Sequence, residues 1–307
     1  MTGVKIGLVG AGPWAKVFHA PMITGGPETE LTTVWARRPE AAQEIAAEFG
    51  ATVSNTFEDL LDAVDAVVFA VPPFVQAELA PQAAAAGKPL LLEKPIGLDL
   101  AQAEKLVAAI DAAGVPTQVM FTNRYSPRIR EFLDQAGQQT PIGAVGFYVN
   151  QAALPGGFFA TPWRVEKGGL LDLGPHVLDT LDAAVGPIVD IQGQGDPQSW
   201  YVITATHSNG VISQAFMSLT SPVVRDVAGV KVYTEQGELE CEFVGKDGDP
   251  AVPGVIRREF AEVVASGKSH EIDIHRALYI QRLLEQAAVT NPDSTTTTAP
   301  VNPPAKG

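Results

Sequence analysis

The sequence predicts an α/β chain of two domains: an N-terminal doubly wound, mostly parallel sheet, then an α+β domain on an open, mostly antiparallel sheet. Three observations predict it. The chain has 307 residues, too many for one small core. Up to residue 122, short and almost wholly apolar runs alternate with helical patterns, as in a parallel sheet covered on both faces. After about residue 123 the pattern changes, and from Val189 to Phe243 apolar residues largely alternate with polar ones, the period of a half-buried sheet. The expected domains are residues 1–122 and 123–290. A tail at 291–307, rich in Thr, Pro and Asn, is expected to be disordered because it can bury little apolar surface.

The expected strands of the first domain are Lys5–Val9, Leu31–Ala36, Thr52–Val53, Ala66–Val71, Pro89–Glu93 and Thr117–Phe121. Between them lie helices starting at Pro13, at Pro39 (closed by Gly50), at Phe57 behind Thr56 and Asp59, at Phe74 (ended by Gly87) and at Asp99 (stopped by Gly114). In the second domain, Tyr125–Ala136 reads as a helix, Gly143–Ala152 as a strand, and Gly169–Val185 contains a helix. Val189–Leu219 and Val227–Phe243 suit antiparallel strands, with a turn at Glu235-Gln236-Gly237. Helices Val255–Ser266 and His275–Thr290 complete it.

The net charge of −14 supplies no basic footprint for nucleic acid or for an anionic membrane surface. A single cysteine, Cys241, allows no intrachain disulfide and reads as an inert packer. No apolar run reaches the roughly 18 residues of a membrane span. Met1 to Lys5 leads straight into a strand-like run, so a cytoplasmic protein is expected.

Gly10-Ala11-Gly12-Pro13-Trp14-Ala15 follows the first strand and opens a helix, which is the dinucleotide-binding fingerprint. Gly10 permits the tight turn, Gly12 lets a pyrophosphate approach the backbone, and Ala15 is small for helix–strand packing. Pro13 and Trp14 lie at the helix N-terminus, whose free N–H groups suit an anion. The second strand ends in Ala36-Arg37-Arg38 rather than in a carboxylate. Two guanidiniums there can clamp a 2′-phosphate, so NADP(H) is favoured, with NAD(H) as the alternative. Val71 and Pro72 follow another strand at the same carboxyl edge and are expected against the nicotinamide ribose.

Glu93-Lys94-Pro95 also ends a strand at that edge, so both Glu93 and Lys94 are expected at the cofactor. Lys94 can hydrogen-bond a substrate oxygen and stabilise alkoxide charge. Asp172 and His176, four residues apart, would share one helical face, with Asp179 three further on and Pro175 able to start or kink the helix. A carboxylate beside His176 would orient the ring for acid–base work on a hydroxyl proton. His19 reads as helix packing, and His207, His270 and His275 as surface or strand residues. No HExxH or cysteine pair occurs, so no metal is expected.

Together these residues resemble the glucose–fructose oxidoreductase/inositol dehydrogenase (Gfo/Idh/MocA) family from about Val4 to Thr290. The markers are Gly10-Ala11-Gly12, Glu93-Lys94-Pro95, Asn123 to Pro127, Trp163-Arg164, and Gly169 through His176. The resemblance implies a Rossmann domain, and an α+β domain whose open sheet mediates homo-oligomerisation into a dimer or tetramer. It implies hydride transfer between NAD(P) and an alcohol or carbonyl carbon of a sugar, polyol or related small cyclic substrate. Lys94, Asp172 and His176 would be catalytic and bind substrate with Tyr125, while Trp163 and Arg164 would lie near cofactor and substrate. The family's usual Thr-Pro-Asn, with a His three residues later, is here Val71-Pro72-Pro73 and Gln76. The apolar segment Leu154–Ala160 suits a less polar pocket. Two other readings share the cofactor site: a non-catalytic NAD(P) sensor, and a reductase of a non-carbohydrate substrate such as a tetrapyrrole, dihydrodiol or imine.

Overall fold

A computed structural model describes residues 3–157, 159–243 and 249–288. The expected tail at 291–307 lies outside them. The chain divides into two compact units, residues 1–120 with 250–278, and residues 121–249 with 279–307.

In the first unit β1 (Val4–Val9), β2 (Thr29–Trp35), β3 (Thr52–Val53), β4 (Ala66–Phe69), β5 (Leu90–Leu92) and β6 (Thr117–Val119) form one sheet in the order β3-β2-β1-β4-β5-β6. Every pairing is parallel. The apolar runs have this cause: β4 and β5 are buried along their whole length, since helices cover both faces of a parallel sheet. Helices start and stop where local chemistry dictates. Thr56 and Asp59 form a reciprocal capping box on Phe57–Ala63, and the Asp99 carboxylate accepts from Gln102 N–H at the start of Leu100–Ala113. Gly50 and Gly114 end helices in the left-handed conformation.

Residues 250–278 belong to this unit, whereas local periodicity groups them with 123–290. They cover the open edge of β6: Thr117 N–H donates to Ser269 Oγ, His270 N–H to Thr117 O, and Val119 N–H to Ile272 O. The helix Val252–Ser266 is also tied in by charge. Arg257, 8% exposed, donates from Nε to Glu28 Oε2 at 2.7 Å and from Nη1 to Met22 O at 3.3 Å. Gly25 and Gly26 leave room for its guanidinium, since a Cβ at Gly26 would lie 2.3 Å from Nη2. The Arg257 hydrogen bond holds the Glu28 carboxyl below the ordinary carboxylate range. Arg257→Met strands a half-buried carboxylate and is expected to destabilise the unit by about 2 kcal/mol. Because the folded value is depressed, the pair contributes fully above the ordinary carboxylate range and is lost as pH falls through the folded value. The wild-type and Arg257→Met urea midpoints should therefore differ at neutral pH and converge in acid.

In the second unit β7 (Pro141–Val149), β8 (Ile188–Gly195), β9 (Tyr201–His207), β10 (Ile212–Ser218), β11 (Val227–Thr234) and β12 (Gly237–Glu242) form a sheet in the order β12-β11-β7-β10-β9-β8. The β7–β10 pairing is parallel and the others are antiparallel, as expected of a mostly antiparallel open sheet. One face packs on the helix Gly174–Val185: a Cβ at Gly146 would lie 2.4 Å from Val177 Cγ1. The other face carries Phe147 opposite Phe216 and Val202 in register, with Trp200 stacked on Phe216. Trp200, Val202, Ile212, Val227 and Tyr233 are all exposed.

Candidate active site

The strand order reverses between β1 and β4, and in open α/β sheets ligands bind in the crevice outside the strands' carboxyl ends at such a point. Gly10, Arg37, Val71 and Glu93 follow β1, β2, β4 and β5, so all the first unit's expected site segments reach that one edge. Gly10 takes φ 115°, and a Cβ there would sit 2.3 Å from Ala70 O and 2.8 Å from Val71 Cγ1. The first glycine is therefore required by the approach of the β4 end. A Cβ on Gly12 would meet nothing within 4 Å, so open space lies over the backbone where a pyrophosphate would be cradled. Ala15 is fully buried and Pro13 is exposed. These residues fit a dinucleotide. Arg37 and Arg38 are exposed and form no ion pair with any described residue, although Glu40 follows in the first turn of the helix Pro39–Phe49.

The expected helix at Pro13–Thr24 departs from plain α geometry. Ala15–His19 is wound as a π turn, with Ala20 N–H bonded to Ala15 O, before a short α segment Ala20–Thr24. In an α-helix of 3.6 residues per turn, residues five apart diverge by about 140°. The wider turn lets Trp14 and His19 converge on one acceptor. Trp14 Nε1 donates to Glu93 Oε1 at 2.9 Å, and His19 Nε2 lies 2.7 Å from the same oxygen. His19 is fully buried, so its packing role is combined with a polar one that the sequence reading did not assign. The other Glu93 oxygen accepts Lys94 N–H at 3.2 Å. Gln76, also fully buried, donates from Nε2 to Glu93 O and accepts Glu93 N–H on Oε1, both at 2.8 Å. The Lys94–Pro95 bond is cis. The Trp14 indole N–H and the Glu93 carboxylate, expected at the cofactor, are thus spent on each other. A signal for these partners exists in the nine-residue step from Gly10 to His19 and in Gln76, three residues past Pro73.

In the second unit, Asp172 and His176 do not share one uninterrupted helix. One helix spans Pro162–Asp172 and the next Gly174–Val185, meeting at Leu173, where Gly174 and Pro175 open the new helix. Asp172 is held by Arg164, Nε to Oδ2 at 3.0 Å, and Asp179 by Arg124 at 3.2 Å. The Arg164 guanidinium also lies over the rings of Trp163 (4.5 Å) and Phe159 (5.2 Å). A cavity of about 430 Å³ adjoins Arg164, lined chiefly by apolar residues such as Leu154, Pro155 and Val165, with Gln198 and Thr220 as polar exceptions. His176 is partly exposed, with the Tyr148 ring 6.2 Å away. Burial, then the Asp172 and Asp226 carboxylates, push the Tyr148 phenol above its ordinary range, so it persists as a donor. Tyr125 is fully buried, with Arg130 over its ring at 5.8 Å, which presents packing rather than an open contact surface. Among the described residues no cluster of three or more His, Cys, Asp or Glu could hold a metal ion. No helix among them is long and apolar enough to cross a membrane.

Comparison with known proteins agrees with this geometry. Residues 4–121 match the model of the GFO_IDH_MocA oxidoreductase family, NAD-binding Rossmann fold. The chain is 28% identical over 195 residues to a dTDP-3,4-didehydro-2,6-dideoxy-alpha-D-glucose 3-reductase of Actinomadura kijaniata, covering 62% of this chain and 58% of that one. It is 33% identical over 137 residues to an inositol 2-dehydrogenase of Rhizobium meliloti, covering 43% and 41%. Residues 4–121 thus carry the NAD-binding Rossmann fold of the Gfo/Idh/MocA oxidoreductase family. The matched segments span about half the length of these two relatives. Among solved structures, GenD2 from gentamicin A biosynthesis, in complex with NAD, superposes with a TM-score of 0.82 at 22% identity over 94% of both chains. That likeness is one of fold, and it covers residues of both units.

Proposed function

We propose that this protein is an NAD(P)-dependent dehydrogenase or reductase acting on a CH–OH carbon of a sugar, polyol or related small cyclic substrate. One observation carries the reading: the switch-point crevice has its first glycine forced by the Ala70 carbonyl and open space over its second. The chemistry a bound nicotinamide supplies is uptake or release of a hydride. The chain's own groups do the rest. Backbone around Gly10–Ala15 holds the pyrophosphate, and Val71 and Pro72 flank the ribose. The Lys94 ammonium hydrogen-bonds the substrate oxygen and stabilises alkoxide character. His176 takes the hydroxyl proton in oxidation and returns it in reduction. Asp172, clamped by Arg164, fixes the helix junction that carries His176. Relatives named for sugar and inositol oxidoreduction support the substrate class, and the apolar lining beside Arg164 suits a substrate with a deoxygenated face.

Arg37 and Arg38 favour NADP(H) over NAD(H). Each guanidinium is exposed and can pair with a 2′-phosphate. Replacing both by Ala is expected to weaken NADPH binding by about 30-fold and NADH binding by less than about threefold. Fluorescence titration with the two reduced cofactors measures this, and equal losses would remove the phosphate clamp. A screen of sugars and polyols for cofactor-dependent absorbance change tests the activity. The face of the second sheet that carries exposed Trp200 and Val202 around the half-buried Phe216 suits a second copy of the chain, giving a homo-oligomer.

A further inference from the structure

We propose that Gln76 is a positioning residue for Lys94, acting through the backbone of Glu93. The inference rests on the dehydrogenase reading for its kinetic arm only. The Gln76 side-chain amide makes both hydrogen bonds that a neighbouring strand would make to one residue, donating to Glu93 O and accepting Glu93 N–H, each at 2.8 Å. Only one orientation of the amide satisfies both. Glu93 lies just past β5, whose last register partner on β6 is Val119, opposite Leu92, so the amide takes over where main-chain pairing stops.

The Glu93 side chain is fixed separately, by Trp14 and His19 on Oε1 and by Lys94 N–H on Oε2. With the His19 proton on Nε2, facing the carboxylate, the remaining Nδ1 is buried and makes no hydrogen bond among the described residues. Glu93 is thereby held by backbone from the helix Pro73–Ala85 and by side chain from the fingerprint turn. The residue after it, Lys94, inherits that constraint. Gln76 bonds the backbone of Glu93, one residue before Lys94, and acts through it. A fully buried Gln whose two polar ends both serve a single backbone residue is costly for packing alone, since an apolar side chain of that shape would bury without needing partners.

The test compares wild type, Gln76→Leu, which removes both bonds, and Gln76→Glu, which keeps the acceptor and loses the donor. A displacement of about 1 Å at a reacting group costs roughly a hundredfold, so kcat is expected to fall about 30-fold in the Leu variant and about tenfold in the Glu variant. Substrate KM and cofactor Kd should move by less than about threefold, because the interaction lost is one that matters in the transition state. A second arm needs no substrate: the rate at which trinitrobenzenesulfonate modifies Lys94, followed by peptide mapping, should change at least about threefold in both variants. Should the Leu variant not fold, the Glu variant carries the same readings. Wild-type protein that turns over no alcohol or carbonyl overturns the dehydrogenase reading and leaves the labelling arm to decide the role of Gln76. Folded variants that keep both kcat and Lys94 labelling at the wild-type level overturn the positioning role.

Discussion

Lys94→Ala is expected to lower kcat by about a thousandfold while leaving cofactor affinity within about threefold. The expectation follows from where the sequence puts the ammonium. Lys94 stands two residues past β5, at the carboxyl edge of the sheet, and its backbone N–H is anchored on Glu93 Oε2. An ammonium placed at that edge would stabilise the negative charge that the substrate oxygen gains as hydride arrives at a carbonyl carbon, or as the hydroxyl gives up its proton before hydride leaves in the reverse direction. Its removal should therefore appear in kcat and in kcat/KM alike, with little change in binding. Steady-state kinetics together with fluorescence titration of the cofactor check both halves. A loss below about tenfold, roughly 1.4 kcal/mol, would remove the catalytic role.

The first sheet was legible because a parallel strand covered on both faces writes itself as a continuous apolar run; β4, Ala66–Phe69, and β5, Leu90–Leu92, have no exposed residue. The fingerprint was legible for a local reason too, since its glycines answer contacts made within a few residues of a strand end. What stayed hidden is non-local. His19 and Gln76 are a plain histidine and glutamine in helical patterns until the fold brings Glu93 to them from 74 and 17 residues away. Arg257 likewise finds Glu28 across 229 residues, which is why periodicity alone grouped its helix with the second domain. In the second unit the alternation announced half-buried strands; the parallel partnership of β7 with β10 it did not announce, because pairing direction leaves no mark on a period of two. The spacing of Asp172 and His176 suggested one helical face, whereas Gly174 and Pro175 start a second helix between them, and Arg164 became the partner of Asp172.

Gly168→Ala is expected to be the most damaging small substitution in the second unit, costing about 4 kcal/mol. Gly168 interrupts the helix Pro162–Asp172 with φ 72° and ψ −164°, a conformation that glycine adopts and alanine resists. Space forbids the methyl as well. A Cβ there would lie 1.9 Å from Pro197 O and 2.3 Å from its carbonyl carbon, and both neighbours are backbone. Pro197 cannot retreat cheaply, since its carbonyl accepts Gly169 N–H at 2.7 Å and Gln198 next to it donates to Glu166 O at 2.9 Å. The Arg164–Asp172 ion pair spans the same break, so a shift at Gly168 disturbs the anchor of the candidate catalytic carboxylate. Gly210→Ala is the control: φ is also positive, at 84°, but a Cβ would meet nothing within 4 Å. That variant should lose only about 1 kcal/mol, the backbone part alone. At roughly 2–4 °C per kcal/mol for a domain of this size, thermal unfolding should separate the two variants by several degrees. Equal melting temperatures would mean that the close approach of the Pro197 carbonyl contributes nothing, and the tight packing that sets Asp172 in place would have to be sought elsewhere in the unit.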